Sequence, residues 1–165
     1  MELLIIVFLL GGLFLGWSLG ANDAANVFGT AVGTRMVQFK TAAIICSLFV
    51  ILGAIISGSG TTETLGKLGS INALPGAFAA CVAAGLSVYI MTKLGLPVST
   101  TQAIVGAIIG WNLYTGSSTN IQVLITILST WVICPIIAGL IPMLLFISGL
   151  KILLRKRLIN IEGFL

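Results

Sequence analysis

The chain has 165 residues, of which 58% are hydrophobic and only 7% are charged. A soluble domain usually carries about 25% charged residues, so this composition excludes a water-facing surface and predicts a protein of the lipid bilayer. The net charge of +4 does not indicate nucleic-acid binding, because half of the eight cations lie in one run beside an apolar segment. That run is Lys151, Arg155, Lys156 and Arg157, a pattern typical of a cytoplasmic helix end.

The sequence gives little support for an enzyme. It contains no histidine, which removes the commonest general base and the commonest zinc ligand. Cys46, Cys81 and Cys134 are far apart and form no CxxC motif, so we expect them to be packing residues. We therefore expect neither enzymatic activity nor a bound cofactor.

The first apolar segment, residues 1–33, is predicted to be a broken helix. The apolar run from Leu3 to Leu19 is interrupted by the polar sequence Gly20–Asn26 and resumes at Val27–Val32, so we expect the helix to unwind at the interruption. Glu2 makes the start of the chain acidic, unlike a signal peptide, and we expect this helix to be retained.

A second helix is predicted over residues 41–56, followed by a polar loop at Ser57–Asn72. Residues 74–113 come next and are predicted to form a helical hairpin that re-enters the membrane. The second part of that hairpin, Ser99–Leu113, is only about 22 Å long at 1.5 Å per residue, which is too short to cross comfortably.

The last helix is predicted over residues 121–150, followed by a basic cytoplasmic tail at 151–165. All 165 residues are thus predicted to form one all-α, multi-pass domain of the cell membrane. If Arg35 and Lys40 are cytoplasmic, the N-terminus is outside and the tail is inside. The hairpin adds either two membrane crossings or none to those of the other three helices, so the total number of crossings is odd. A second copy of this unit fused to its C-terminus would therefore be inserted in the inverted orientation.

A first candidate site surrounds Asp23, the only aspartate in the chain. A carboxylate deep in lipid costs about 3 kcal/mol or more, so a partner is required. The amide oxygens of Asn22 and Asn26, the Asp23 carboxylate and unwound carbonyls would suit a small cation such as sodium. A proton on Asp23 is an alternative, and a helix end capped at the membrane surface is a purely structural one.

A second candidate site is the hydroxyl run Ser99, Thr100 and Thr101, followed by Gln102, ahead of an apolar helix. The unpaired N–H groups and positive dipole of a helix start favour an anion such as phosphate or sulfate. Alternatively, Ser99 and Gln102 form a capping box and satisfy those groups themselves. The combination with a carboxylate at membrane depth is what favours a site for an anion and a cation.

Three pairs of glycines at GxxxG spacing flank the two candidate sites and are predicted to be packing surfaces. They are Gly16 with Gly20, Gly29 with Gly33, and Gly106 with Gly110. Lys93, between the predicted halves of the hairpin, is expected to extend to a membrane interface, with neutralisation of an anion as the alternative.

Two stretches of the sequence closely resemble the inorganic phosphate transporter (PiT) family. They are Gly20–Gly29, with the sequence GANDAANVFG, and Leu96–Gly106, with the sequence LPVSTTQAIVG. The resemblance extends from the first span to about Asn120, and it implies a secondary transporter that moves phosphate with sodium or, in some bacterial members, with protons. Members of the family carry both motifs twice, in inverted halves, whereas this chain carries them once and resembles the N-terminal half.

The resemblance also implies roles for individual residues. Ser99, Thr100 and Thr101 would bind phosphate, while Asn22, Asp23 and Asn26 would form the sodium site and the adjacent substrate pocket. Asp23 is thereby placed at both sites. Gln102 stands where family members often have histidine; we expect it among the substrate-binding residues, and whether this half contributes equally to the anion site is open.

We therefore expect one half of a phosphate symporter, in which a cation at Asp23 offsets the charge of the anion. Three alternatives stay open: a sulfate permease of the same fold, a passive dimeric anion channel, and an inactive assembly subunit. The expected partners are phosphate, sodium, membrane lipid and a second transporter half or second copy of the chain, but not nucleic acid.

Overall fold

A computed structural model describes residues 2–69 and 74–162, and the regular structure in these ranges is α-helical. Its five helices are α1 (Glu2–Gly33), α2 (Phe39–Leu68), α3 (Leu74–Lys93), α4 (Thr100–Thr115) and α5 (Ile121–Glu162). Within the described ranges, four helices are long and apolar enough to cross a membrane, and α4 is not among them. The predicted all-α, multi-pass class is confirmed.

The chain forms two compact units, residues 1–121 and 122–165. The first unit contains α1 to α4, and the second contains nearly all of α5. That both units belong to one transmembrane domain stays a prediction.

Helices α1 and α3 run parallel and form the core of the first unit. Ring pairs join Phe8 to Phe78 and Trp17 to Tyr89, with centroid distances of 5.7 and 5.6 Å. Residue numbers therefore rise together along both helices. Helix α4 follows α3 through a short turn and packs back against it, so that α3 and α4 form a hairpin beside α1.

Small residues permit this close packing. The buried face of α3 repeats every four residues, at Gly76, Ala80, Ala84 and Val88. A Cβ atom placed on the neighbouring Gly85 would lie 2.8 Å from the Phe14 ring. The six glycines of the predicted GxxxG pairs make no such contact, because a Cβ there would meet nothing within 4 Å. Within the described chain, that packing prediction is wrong, since the helices meet on other faces.

The predicted break in α1 is also wrong, because Gly20–Asn26 is helical within one continuous helix. Two of its polar side chains, Asn22 and Asp23, find partners on other segments. Asn22 donates to the Val98 carbonyl, and Asp23 accepts from Thr100. Since these bonds satisfy the buried polar groups, the backbone has no need to unwind.

The predicted loop at Ser57–Asn72 is wrong over its described part, because α2 continues to Leu68. Four polar side chains of this segment, those of Thr62, Glu63, Thr64 and Lys67, are satisfied inside the helix. The pairs, each one turn apart, are Thr62 with Gly58, Thr64 with Gly60, and Lys67 with Glu63. Residues 70–72 of the predicted loop lie outside the described residues.

Helix α5 continues past its predicted end at residue 150 and reaches Glu162. The described part of the predicted tail, residues 151–162, is therefore helical, and residues 163–165 lie outside the described residues. Pro135 and Pro142 lie inside the helix. Each removes one helical hydrogen bond without ending the helix.

Large apolar side chains cover the outside of α2. Phe49 is 69% exposed, and Ile55 and Ile56 are each 76% exposed. An exposed apolar surface of this extent needs lipid or another protein as its neighbour.

Candidate functional site

The turn between α3 and α4 lies against the body of α1. Helix α3 ends at Lys93, and Gly95, two residues later, has a φ of +72°, the left-handed conformation that favours glycine at this position. The hairpin tip, residues 94–99, then leads into α4. It meets α1 at Asn22 and Asp23, and about 15 Å of uncharged helix follows Asp23 at 1.5 Å per residue. The tip therefore lies level with the interior of α1 and not with its end.

Asn22 joins three segments through its side-chain amide. It is 4% exposed, and its Nδ2 donates to the Val98 carbonyl at 2.6 Å and to Asp23 Oδ1 at 2.9 Å. Its Oδ1 accepts from the Thr92 hydroxyl at 3.3 Å. Asn22 thus connects α1 with the end of α3 and with the hairpin tip.

Asp23 faces the first residue of α4. The Thr100 hydroxyl lies 3.3 Å from both Asp23 carboxylate oxygens. Thr100 itself is 5% exposed, whereas Asp23 is only partly buried. The carboxylate is therefore held by neutral donors and keeps one side open.

Ser99 is the N-cap of α4. Its backbone is extended, and its Oγ accepts from the Gln102 N–H at 3.3 Å, which is one of the two bonds of the predicted capping box. The N–H groups of Thr100 and Thr101 precede any intrahelical acceptor. They and the positive end of the α4 dipole are available to an anion.

An open cleft of about 350 Å³ joins the two candidate sites. Its lining residues are Asp23, Asn26, Pro97, Val98, Ser99, Thr100 and Thr101. Carboxylate and amide oxygens lie on the α1 side, and hydroxyl and N–H donors lie on the α4 side. One cleft thus presents acceptors for a cation beside donors for an anion.

The structure brings most of the predicted site residues together, with two exceptions. Asn22 is buried behind the cleft, and Gln102 is exposed and absent from its lining. Sequence reasoning missed Thr92 and the Val98 carbonyl, both partners of Asn22. A hydroxyl at the end of an apolar span was the signal for Thr92, whereas a backbone carbonyl gives no signal in the sequence.

Two further features define the chemistry of the site. Among the described residues, no group of three His, Cys, Asp or Glu side chains could hold a metal ion. The cleft itself offers the Asp23 carboxylate beside the Asn26 amide, and hard oxygen ligands of this kind suit hard cations. Lys93 Nζ lies over the Tyr89 ring, 5.6 Å from its centroid, an arrangement that stabilises a lysine charge.

Long apolar helices and a polar cleft at the tip of a helical hairpin define a multi-pass membrane protein with a candidate ion-binding site. The phosphate transporter family model matches residues 19–162, and the chain belongs to that family.

Several curated relatives carry the printed name "Putative phosphate permease". The one from Pyrococcus furiosus is 34% identical over 164 residues, covering 93% of this chain and 40% of the relative. The one from Chlamydia pneumoniae is 36% identical, covering 87% and 36%, and the one from Methanocaldococcus jannaschii is 40% identical, covering 79% and 42%.

This chain therefore spans about two fifths of the length of the curated relatives it matches. No solved structure matches it.

Proposed function

We propose that this chain is one half of a secondary transporter that carries inorganic phosphate across the cell membrane together with sodium or a proton. The observation that supports this most directly is the cleft in which Asp23 faces Thr100 at 3.3 Å. Membership of the phosphate transporter family favours phosphate over sulfate as the substrate.

In this proposal the anion binds at the start of α4. The Thr100 and Thr101 N–H groups and the hydroxyls of Ser99, Thr100 and Thr101 donate to its oxygens, in the positive field of the helix start. Gln102 is exposed and outside the cleft lining, so its predicted contact with the anion would need its side chain to turn inward.

The coupling ion binds beside the anion, at Asp23. The predicted cation ligands are Asn22, Asp23 and Asn26, and of these Asp23 and Asn26 line the cleft. An Asp23 carboxylate without a cation would repel an incoming phosphate, so sodium or a proton at Asp23 lowers the free energy of anion binding. Coupling follows because each ion binds better when the other is present.

The same carboxylate can separate phosphate from sulfate. Phosphate near neutral pH still carries a proton that Asp23 can accept in a hydrogen bond, whereas sulfate has none to donate. Asp23→Asn replaces one acceptor oxygen by a donor and removes the negative charge of the other, which weakens this preference.

The central experiment is uptake of labelled phosphate into proteoliposomes. The chain is reconstituted alone and together with a polypeptide that carries the second copy of both motifs. Uptake is measured with and without an inward sodium gradient, and with and without a proton gradient. We expect gradient-driven uptake when both halves are present, and its loss in Asp23→Asn.

A matched pair of threonine variants tests the assignment of the cleft. Thr100→Val removes a hydroxyl of the cleft, and we expect uptake at low phosphate to fall about tenfold, the effect of one lost hydrogen bond to a charged group. Thr64→Val is the control, because the Thr64 hydroxyl bonds only within α2. Phosphate flux that is independent of both the sodium and the proton gradient would instead identify a passive anion channel.

A further inference from the structure

We infer that Asn22 is a positioning residue that fastens the hairpin tip to α1, and that it is not a ligand of the transported ions. This role concerns the same cleft as the proposed function. Its test measures the hairpin tip directly and does not depend on transport.

The orientation of the Asn22 amide is fixed by its partners. The group that lies 2.6 Å from the Val98 carbonyl and 2.9 Å from Asp23 Oδ1 faces two acceptors, so it must be the NH₂ group. Both of its hydrogens are thereby used. The amide oxygen faces the Thr92 hydroxyl, which is a donor.

Burial completes the argument. Asn22 is 4% exposed and does not line the cleft, whereas Asp23 and Asn26 do. A cation would have to reach an amide oxygen of a side chain that is only 4% exposed and already faces the Thr92 hydroxyl. An anion would have to replace the Val98 carbonyl, which would then lose its partner.

Thr92 acts through Asn22. Its hydroxyl lies 3.3 Å from Asn22 Oδ1 and 2.8 Å from the Val88 carbonyl, so it shares one hydrogen between its own helix and the amide. Thr92 is absent from the cleft lining. A variant at Thr92 therefore disturbs the Asn22 amide without removing a group that could contact an ion.

Adjacent residues of α1 thus hold the tip in different ways. The bond from Asn22 to the Val98 carbonyl is short and partly buried, and its donor, Asn22, does not line the cleft. The contact from Thr100 to Asp23 is longer, lies at the cleft, and involves groups that the ions themselves would bind. Ion binding would release the Asp23 contact while Asn22 keeps the tip on α1.

The experiment is hydrogen–deuterium exchange of residues 94–102, the hairpin tip with the first residues of α4, measured by mass spectrometry on the full chain in lipid nanodiscs. Loss of a buried hydrogen bond changes a local opening equilibrium by about tenfold. We expect tip exchange to accelerate by that factor in Asn22→Ala and by a smaller factor in Thr92→Val. Thr92→Ser keeps the hydroxyl and is expected to match the wild type.

Ser87→Ala is the matched control on α3, because the Ser87 hydroxyl is exposed and bonds only to the Ala83 carbonyl. The inference is overturned if Thr92→Val leaves tip exchange unchanged while Asn22→Ala abolishes a slowing of exchange by sodium. That result would make Asn22 a cation ligand. If Asn22→Ala does not fold, the inference is tested by comparing tip exchange in Thr92→Val with that in Thr92→Ser. This comparison tests the inference even if the chain transports no phosphate.

Discussion

Asp23 is held by neutral groups. Within the described ranges its partners are the Asn22 amide and the Thr100 hydroxyl, and no lysine or arginine pairs with it. Hydrogen bonds from neutral donors lower the cost of burying a carboxylate but leave its charge in place. The uncompensated charge is what makes a cation the natural partner of this residue, so the coupling we propose has its physical origin in a single side chain.

Ser99 has two roles that substitutions can separate. Its Oγ caps α4 through the Gln102 N–H, and we propose that it also contacts phosphate. Ser99→Ala removes both roles and should lower the free energy of unfolding by about 1 kcal/mol, whereas glycine, a better N-cap, should cost only a few tenths. We expect phosphate uptake to be weakened equally in both variants, since neither has a hydroxyl.

The measurement for Ser99 is unfolding in detergent beside uptake in proteoliposomes. Ser99→Asn keeps the cap and serves as a further control for stability. If uptake followed stability across the three variants, Ser99 would be a cap alone and phosphate would bind without it.

The α1–α3 contact depends on backbone approach at Gly85. A Cβ there would lie 2.8 Å from Phe14 Cδ1 and 3.3 Å from the Leu15 Cα. The Phe14 ring can turn away, but the Leu15 backbone cannot move without shifting α1. We expect Gly85→Ala to destabilise the first unit by about 1–3 kcal/mol, the usual cost of overpacking.

Thermal unfolding in detergent, followed by circular dichroism, tests the Gly85 prediction. Gly12→Ala on α1 is the control, because a Cβ at Gly12 meets nothing within 4 Å. Equal melting temperatures for the two variants would show that α1 and α3 can separate at Gly85 without loss.

The helical hairpin was predictable because its signals are local. The hydroxyl run after Pro97 marks a helix start, and α4 begins at Thr100, one residue after the predicted Ser99. The continuity of α1 was not predictable, because the groups that satisfy Asn22 and Asp23 come from Thr92, Val98 and Thr100, which are distant in sequence. A polar stretch such as Gly20–Asn26 has the same sequence pattern in a continuous helix as in a broken one. In the continuous helix other segments supply its hydrogen-bond partners, and in the broken helix its own unwound carbonyls contribute to a site.

The prediction of a loop at the polar end of α2 was wrong for a related reason. Glycine, serine and threonine between residues 57 and 68 suggest a loop by composition, yet each threonine hydroxyl can bond the carbonyl one turn earlier, as Thr62 does. Composition does not show whether a hydroxyl bonds its own helix or water. The buried face of α3 follows a pattern of residues every four positions, from Gly76 to Val88, whereas the glycines of the GxxxG pairs lie where a Cβ would meet nothing within 4 Å.

Within each of the two units, large apolar side chains of the described helices are exposed. The apolar residues of α2 are largely exposed, and so are those of α5 considered by itself, where Phe146 is 70% exposed. A bilayer can cover such surfaces, and so can the second half that we propose. The cleft is open on one side, which leaves room for a partner to close it.

The orientation of the chain and the depth of its hairpin can be tested together. We predict the turn at residues 34–38 inside the cell, next to Arg35 and Lys40, and the turn at residues 116–120 outside. After replacement of the three native cysteines, a single cysteine at Met36, which is 80% exposed, should react with a membrane-impermeant maleimide only when the cells are opened. A cysteine at Ser118, also exposed, should react in intact cells.

A third cysteine, at exposed Leu94, distinguishes a re-entrant hairpin from a pair of full crossings. The hairpin tip lies beside Asp23, with about 15 Å of α1 beyond it at 1.5 Å per residue, so we expect Leu94→Cys to react slowly from either side. Fast labelling only in opened cells would mean that α3 and α4 cross completely and that the cleft lies at the cytoplasmic surface. A reversed pattern at Met36 and Ser118 would instead place the chain upside down, and the positive-inside argument from Arg35 and Lys40 would fail.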